Sequence, residues 1–193
     1  MKLLEEKIRK EGQILSGNIL KVSSFLNHQI DVLFLDKLAQ EFVRRLEGEK
    51  ITKVLTIEAS GIGIGSCVAR AFKCPLVFAK KNSSKNVNED CYRSSVYSYT
   101  HSKTYNIIVV KNYISSDDNV LIIDDFLANG SALNGLIELV SQAGAKLAGC
   151  GIVIEKGFQE GGALLRQKGY KIESLAIVDS MSVESGVEFR KDN

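Results

Sequence analysis

The amino-acid sequence predicts an α/β fold, a mostly parallel twisted sheet flanked by helices. Three features predict it. Strand-sized apolar runs recur at residues 53–57, 76–79, 120–123, 150–154 and 172–178. Segments with helical spacing fall between several of them. The runs at 120–123 and 150–154 are apolar without alternation, as in strands covered on both faces. At 193 residues the chain reads as one domain, 1–193, with room for a small subdomain.

Leu3, Leu4 and Ile8 form the apolar edge of a first helix, and Gly12 stops it. Residues 15–30 are less regular. Phe34, Leu38, Phe42 and Leu46 then recur every fourth residue, with Asp31 placed to cap that helix. Residues 53–57 read as a strand, 61–65 as a glycine break, and 67–72 as a helix. Pro75 opens a strand at 76–79. Residues 80–91 carry Lys, Asn, Ser, Glu and Asp with Val87 as their one aliphatic side chain, which predicts a long exposed loop. Loops of that length in compact domains often act as lids. Strand-like stretches follow at 95–99 and 106–110. After the strand at 120–123, Leu133, Leu136, Ile137 and Val140 line one face of a helix that ends at Gly144. A short helix at 161–168 precedes the strand at 172–178.

A formal net charge of +2 gives no overall attraction to nucleic acid or membranes, so an anionic ligand must be held locally. Cys67, Cys74, Cys91 and Cys150 include no C-x-x-C pair, and only His28 and His101 offer imidazole, which argues against zinc. Scattered cysteines fit a reducing, cytoplasmic compartment. Residues 1–10 are charged and lack the apolar core of a signal peptide, and no apolar run is long enough to span a bilayer.

The chemistry concentrates in Val120-Leu121-Ile122-Ile123-Asp124-Asp125-Phe126-Leu127-Ala128-Asn129-Gly130-Ser131-Ala132. A buried strand delivers two acids at its carboxyl end, where open α/β sheets bind ligands. A small-residue loop then enters a helix. Ala128, Gly130 and Ala132 let the backbone come close to a ligand, and the helix N-terminus suits a phosphate. Two carboxylates repel phosphate, so they fit sugar hydroxyls or a cation beside it. A ribose 5-phosphate satisfies both ends. The plainer alternative is a solvated strand end before a helix. A second glycine-rich stretch, Ser60-Gly61-Ile62-Gly63-Ile64-Gly65, lacks the third glycine of a dinucleotide fingerprint, since Ser66 stands there.

The acid-to-helix segment resembles the binding motif of type I phosphoribosyltransferases for 5-phosphoribosyl 1-diphosphate (PRPP). Where the family usually has Thr-Gly-Gly-Thr, this chain has Asn129-Gly130-Ser131-Ala132, which moves the hydroxyls but spares the backbone cradle. Leu127-Ala128-Asn129-Gly130-Ser131-Ala132 is similar to the subgroup that uses xanthine. So are Leu20-Lys21-Val22, Ser24-Phe25-Leu26-Asn27-His28-Gln29-Ile30-Asp31 and Gly151-Ile152-Val153-Ile154-Glu155-Lys156, and the likeness covers nearly the whole chain.

The resemblance implies the type I phosphoribosyltransferase fold, with a hood mainly from residues 1–31 and the C-terminal part, and a flexible lid at about 80–95. It implies purine salvage: xanthine and PRPP become xanthosine 5′-monophosphate and pyrophosphate, with Mg²⁺ carried on PRPP near Asp124 and Asp125. Those two acids would be catalytic. PRPP would meet Ala128, Asn129, Gly130, Ser131, Ala132, backbone amides of Ser60, Gly61 and Ile62, and Lys81. Leu20, Asn27, Lys156 and Phe158 would surround xanthine, and a homodimer is implied. Ser94-Ser95-Val96-Tyr97-Ser98 resembles the lid return.

Without the resemblance, Ser60 and Gly61 read as a tight turn, Lys81 as solvated surface, Leu20 as core and Asn27 as a capping amide. Hypoxanthine, guanine or adenine remains an alternative base. A PRPP-sensing purine regulator is a further alternative. About fifteen residues precede the irregular stretch that begins at Leu15, and we expect no helix-turn-helix module there. A nicotinamide-dependent enzyme is a weaker third reading.

Overall fold

The structure is a computed structural model that describes residues 1–82, 90–98 and 103–191. Helix α1 (Lys2–Glu11) buries Leu4 and Ile8 and stops at Gly12, whose amide donates to Ile8 O at 2.8 Å. Strands β1 (Gln13–Leu15) and β2 (Ile19–Lys21) pair as an antiparallel hairpin, which gives the irregular stretch its order. A π-helical turn, Ser23–Asn27, buries Phe25 and Leu26. Helix α2 (Val32–Arg45) begins where Asp31 accepts from the Phe34 amide at 3.1 Å, the predicted cap.

The main sheet comprises β3 (Lys53–Ile57), β4 (Leu76–Asn82), β5 (Cys91–Ser98), β6 (Lys103–Val110), β7 (Asn119–Leu127), β8 (Lys146–Lys156), β9 (Ile172–Ser182) and β10 (Gly186–Phe189). Its spatial order is β10-β9-β8-β7-β3-β4-β6-β5. The neighbours from β9 through β8, β7 and β3 to β4 are parallel, and β10, β6 and β5 add antiparallel margins. Helices α3 (Gly61–Phe72), α4 (Ser131–Gln142) and α5 (Gly161–Gln167) complete the fold.

Two cores follow from the alternation of β7. Leu121 and Ile123 join Phe25, Leu38, Phe42, Ile64 and Val68 on the side of α2 and α3. Val120 and Ile122 join Leu133, Leu136, Leu139 and Val140 of α4 on the other. Beyond the acid pair the parity switches: Phe126 packs with the first cluster and Leu127 with the second. The acids therefore sit where the side chains of β7 change sides between the two cores.

Three boundaries differ from the sequence reading. Helix α3 starts at Gly61 instead of residue 67, so the supposed break is its first turns. The glycines there serve close packing: a Cβ on Gly65 would lie 3.0 Å from Leu76 Cδ1. Strand β4 runs on through Asn82, because Lys80 and Lys81 register against Ile108 and Ile107 of β6. The flanks of the expected lid, 80–82 and 91–95, are thus strands, while residues 83–89 lie outside the described residues. Strand β7 extends four residues past Ile123, to Leu127, and so carries both acids within it.

All four cysteines are free. Burial pushes the thiol of Cys67 to about 11 and that of Cys150 to about 12, which leaves both as small apolar groups. Among the described residues no helix is long and apolar enough to cross a membrane.

Phe42 is fully buried over β8, where a Cβ on Gly151 would lie 2.8 Å from its ring. Phe42→Ala is expected to lower the unfolding free energy by about 3–5 kcal/mol in urea titrations. Leu33→Ala, at a side chain 77% exposed, should change it by less than about 0.5 kcal/mol. Equal effects at the two positions would contradict this placement of the core.

Candidate active site

The carboxyl ends of β3, β4, β7 and β8 lie side by side in the parallel part of the sheet. They deliver Glu58 and Ser60, Lys81, Asp124 and Asp125, and Lys156 to one edge. This is where an open α/β sheet leaves room for a ligand.

Asp125 is the junction of that edge. Its Oδ1 accepts from the Ser60 hydroxyl at 3.0 Å and from the Phe126 amide at 3.1 Å. Its Oδ2 accepts from Asn27 Nδ2 at 3.0 Å. One buried carboxylate thus ties the π-helical turn at Ser23–Asn27 to the β3–α3 loop and to its own strand. Asp124 is 5% exposed, and its Oδ1 accepts from the Asp125 amide at 3.0 Å. Burial raises the Asp124 pKa well above the usual carboxylate range. The charge of Asp125 adds to that, while Lys81 acts against it. The Tyr105 hydroxyl is also pushed up, by burial and by Asp124.

Thr56 Oγ1 is buried with no hydrogen-bond partner. It lies beneath Gly61, where a Cβ would stand 1.9 Å from Thr56 Oγ1 and 3.6 Å from Asp124 Oδ1. Gly61 is therefore required by space. Lys81 reaches the same region: its Nζ lies 5.4 Å from the Tyr105 ring centroid, and its amide donates to Glu58 Oε1 at 2.6 Å.

After β7 the chain turns through Ala128, Asn129 and Gly130. Asn129 Oδ1 accepts from the Ser131 amide at 2.9 Å, and Gly130 adopts φ 85°, ψ 3°, the left-handed region. Helix α4 then starts, so the amides of Ala132 and Leu133 have no earlier helical carbonyl to bond. The Gly130 carbonyl accepts from the Asn134 amide and from Asn134 Nδ2, both at 2.9 Å.

On the hood side, Lys156 Nζ donates to Asn18 O in the β1–β2 turn at 2.9 Å and lies 6.0 Å from the Phe126 ring centroid. Burial lowers its pKa. Leu20 is buried in the first core, and Asn27 is spent on Asp125. Phe158 stands 38% exposed on the turn after β8 and belongs to neither core.

The structure gathers Asp124, Asp125, Ser60, Gly61, Lys81 and Asn27 into one network. Ser60 contributes its hydroxyl to this network. The Ile62 amide is not free for a ligand, since it donates to Ala59 O at 3.2 Å. Thr56, Glu58, Tyr105 and Phe126 also belong here and escape sequence reading. Thr56 leaves a faint trace as the polar residue of an apolar run, and Tyr105 leaves none, because only the β4–β6 pairing brings it near.

A family model described as "Phosphoribosyl transferase domain" matches residues 21–171. A "Xanthine phosphoribosyltransferase" of Lachnoclostridium phytofermentans is 56% identical over 193 residues, covering all of both chains. "Xanthine phosphoribosyltransferase 2" of Clostridium botulinum strain Langeland is 58% identical, over 94% of this chain and 96% of that one. Among solved structures, an adenine phosphoribosyltransferase from Thermoanaerobacter pseudethanolicus superposes with TM-score 0.73 at 21% identity, over 90% of this chain and 98% of that one. A Trypanosoma brucei enzyme in complex with AMP, pyrophosphate and ribose-5-phosphate gives TM-score 0.74 at 18% identity, over 90% and 78%. These structural likenesses show the fold.

An unfolded aspartate releases its proton near about pH 3.9, whereas folded Asp124 keeps it to higher pH. The native state then binds the extra proton, so stability falls as pH rises from the unfolded value through the folded one. Asp124→Asn removes that loss. Its melting temperature should exceed that of the unsubstituted chain at about pH 7, with a gap that shrinks toward about pH 4. A gap independent of pH, or of opposite sign, would contradict the raised pKa of Asp124.

Proposed function

The chain belongs to the phosphoribosyltransferase family, and from that premise we propose that it transfers the phosphoribosyl group of PRPP to xanthine. The products are xanthosine 5′-monophosphate and pyrophosphate, and the role is purine salvage. The observation that carries the reaction is the position of the acid pair. Asp124 and Asp125 end the buried strand that leads into the left-handed turn at Gly130, and Asp125 is bonded to Asn27 from the N-terminal segment. The choice of base rests on full-length relatives named for xanthine.

The 5′-phosphate takes the backbone of Ala128, Asn129, Gly130, Ser131 and Ala132, where helix amides lack partners. Asp124 and Asp125 hold the ribose 2′- and 3′-hydroxyls. Asp125 already has three protein donors, so an arriving hydroxyl competes with Asn27 for Oδ2. Its displacement frees the Asn27 amide, a donor and acceptor in one group, for the N–H and C=O edge of a dioxopurine. Lys156 is held with a lowered pKa by burial, and it donates to an exocyclic oxygen of the base once it leaves Asn18 O. Leu20 and Phe158 flank the base. Ser60, Gly61 and Lys81 take the pyrophosphate.

Transfer at the anomeric carbon passes through an oxocarbenium-like state. The protein contributes alignment and a fixed negative field beside the developing cation. The segment at about 80–95 serves as a lid that keeps water from the ribosyl centre.

Mg²⁺ fits this donor set as an ion carried by PRPP. Burial and the charge of Asp125 raise the proton affinity of Asp124, and the Thr56 oxygen nearby has no partner. Among the described residues no group of three or more His, Cys, Asp or Glu could cage a metal alone. Asp124 and Asp125 would face the ion, whose remaining ligands come from PRPP and water. Held there, such an ion would supply positive charge beside the leaving diphosphate. A homodimer in the cytoplasm completes the proposal.

Assays with PRPP and each of xanthine, guanine, hypoxanthine and adenine should show the highest kcat/KM for xanthine. Asp125→Asn should lower kcat by about 10²–10³-fold. Lys156→Ala should raise the KM for xanthine and leave that for PRPP within about twofold. Unaltered turnover and PRPP affinity in Asp125→Asn would remove the role given to the acid pair.

A further inference from the structure

We infer that helix α5 positions the phosphate loop: Gly161 braces Ala128–Gly130 by direct backbone contact, and the ion pair of the buried Glu155 with the half-buried Arg166 holds the helix in place. The inference rests on reading that loop as the site of the 5′-phosphate. It adds residues from outside the motif that set how well the phosphate is held.

A Cβ on Gly161 would lie 2.3 Å from Ala128 O, 2.5 Å from Asn129 C and 2.6 Å from Gly130 N. From the other side, a Cβ on Gly130 would meet Gly161 Cα and Leu165 Cδ1, each at 3.3 Å. Backbone thus lies on backbone, with no side chain between them to absorb a shift. Leu165 is buried in the same core as Leu127, which fixes the loop from below.

The helix is brought that close by a charge pair. Glu155 is 2% exposed and lies one residue before Lys156 on β8. It accepts from Arg166 Nη1 and Nη2, each at 2.7 Å, and from the Ser174 hydroxyl of β9. Gly162 fits against the same carboxylate: a Cβ there would stand 2.0 Å from Glu155 Oε1. Gly162 and Arg166 are one helical turn apart, so α5 grips Glu155 along one face. Arg166 holds the carboxylate to lower pKa and is itself raised by it.

A buried ion pair is weak evidence for stability, because apolar replacements of equal volume are often neutral. A two-pronged pair does fix orientation. Orientation matters at this loop, since amides grip a phosphate only over a narrow range of positions. A displacement of about 1 Å in a binding group can cost on the order of 10²-fold in rate.

The test is calorimetric titration of the full chain with ribose 5-phosphate and, separately, with pyrophosphate and Mg²⁺. Gly161→Ala should weaken ribose 5-phosphate by about tenfold or more while pyrophosphate stays within about twofold. In turnover, the KM for PRPP should rise more than that for xanthine. Arg166→Lys keeps the charge, loses the fork and leaves both glycines intact; it should weaken ribose 5-phosphate in the same direction by a smaller factor. This second variant serves if Gly161→Ala does not fold. Folded variants that bind ribose 5-phosphate as the unsubstituted chain does would overturn the inference, and so would equal weakening of both probes. If the unsubstituted chain itself shows no ribose 5-phosphate binding, the phosphate-loop reading fails, whatever the variants do.

Discussion

The left-handed turn at Gly130 is the constraint on which the site depends. At φ 85° an L side chain is strained, and a Cβ would also press on Gly161 and Leu165. Conformation and space therefore both demand glycine. The turn reverses the chain between the end of β7 and the start of α4, which leaves helix amides facing the sheet edge. Two residues, Phe126 and Leu127, separate the acid pair from the loop, so one local turn fixes the distance between the start of α4 and the carboxylates. The rest of the edge is arranged around that spacing.

The acid pair itself is costly. Asp124 is buried beside Asp125, and both effects oppose its ionisation. Asp125 is offset by three donors from three parts of the chain, whereas Asp124 has its neighbour's amide and the more distant Lys81. A fold selected for stability alone would not place two carboxylates there. On the proposed function, a ligand rich in hydroxyls that arrives with a cation would relieve the cost carried by the free protein. The orphan hydroxyl of Thr56 under Gly61 fits the same pattern of polar groups left short of partners at a binding edge.

Much of this was readable in the sequence where the signal is local. The apolar run into Asp124-Asp125, the small loop and the helix after it are contiguous, and the structure keeps their order. The fourfold spacing from Phe34 to Leu46 gave α2, and Asp31 caps it as its position predicts. What stayed hidden depends on contacts distant in sequence. Glycine's poor helix propensity suggested a break at 61–65, but tight packing on Thr56 and Leu76 overrides it. The polar composition of 80–82 suggested a loop, yet backbone pairing with β6 is indifferent to those side chains. Asn27 meets Asp125 across 98 residues, and Gly161 meets Ala128 through a helix whose Arg166 pairs with Glu155 on β8.

The central claim is that main-chain amides at the start of α4 hold a sugar phosphate beside the acid pair. It is tested most directly by following ¹⁵N-labelled backbone amides as ribose 5-phosphate is added. The account predicts large, saturable shifts at Gly130, Ser131, Ala132 and Leu133, with smaller ones at Asp125 and Asn27 as their bond rearranges. Shifts confined to another part of the surface, with the α4 amides unmoved at saturation, would contradict it.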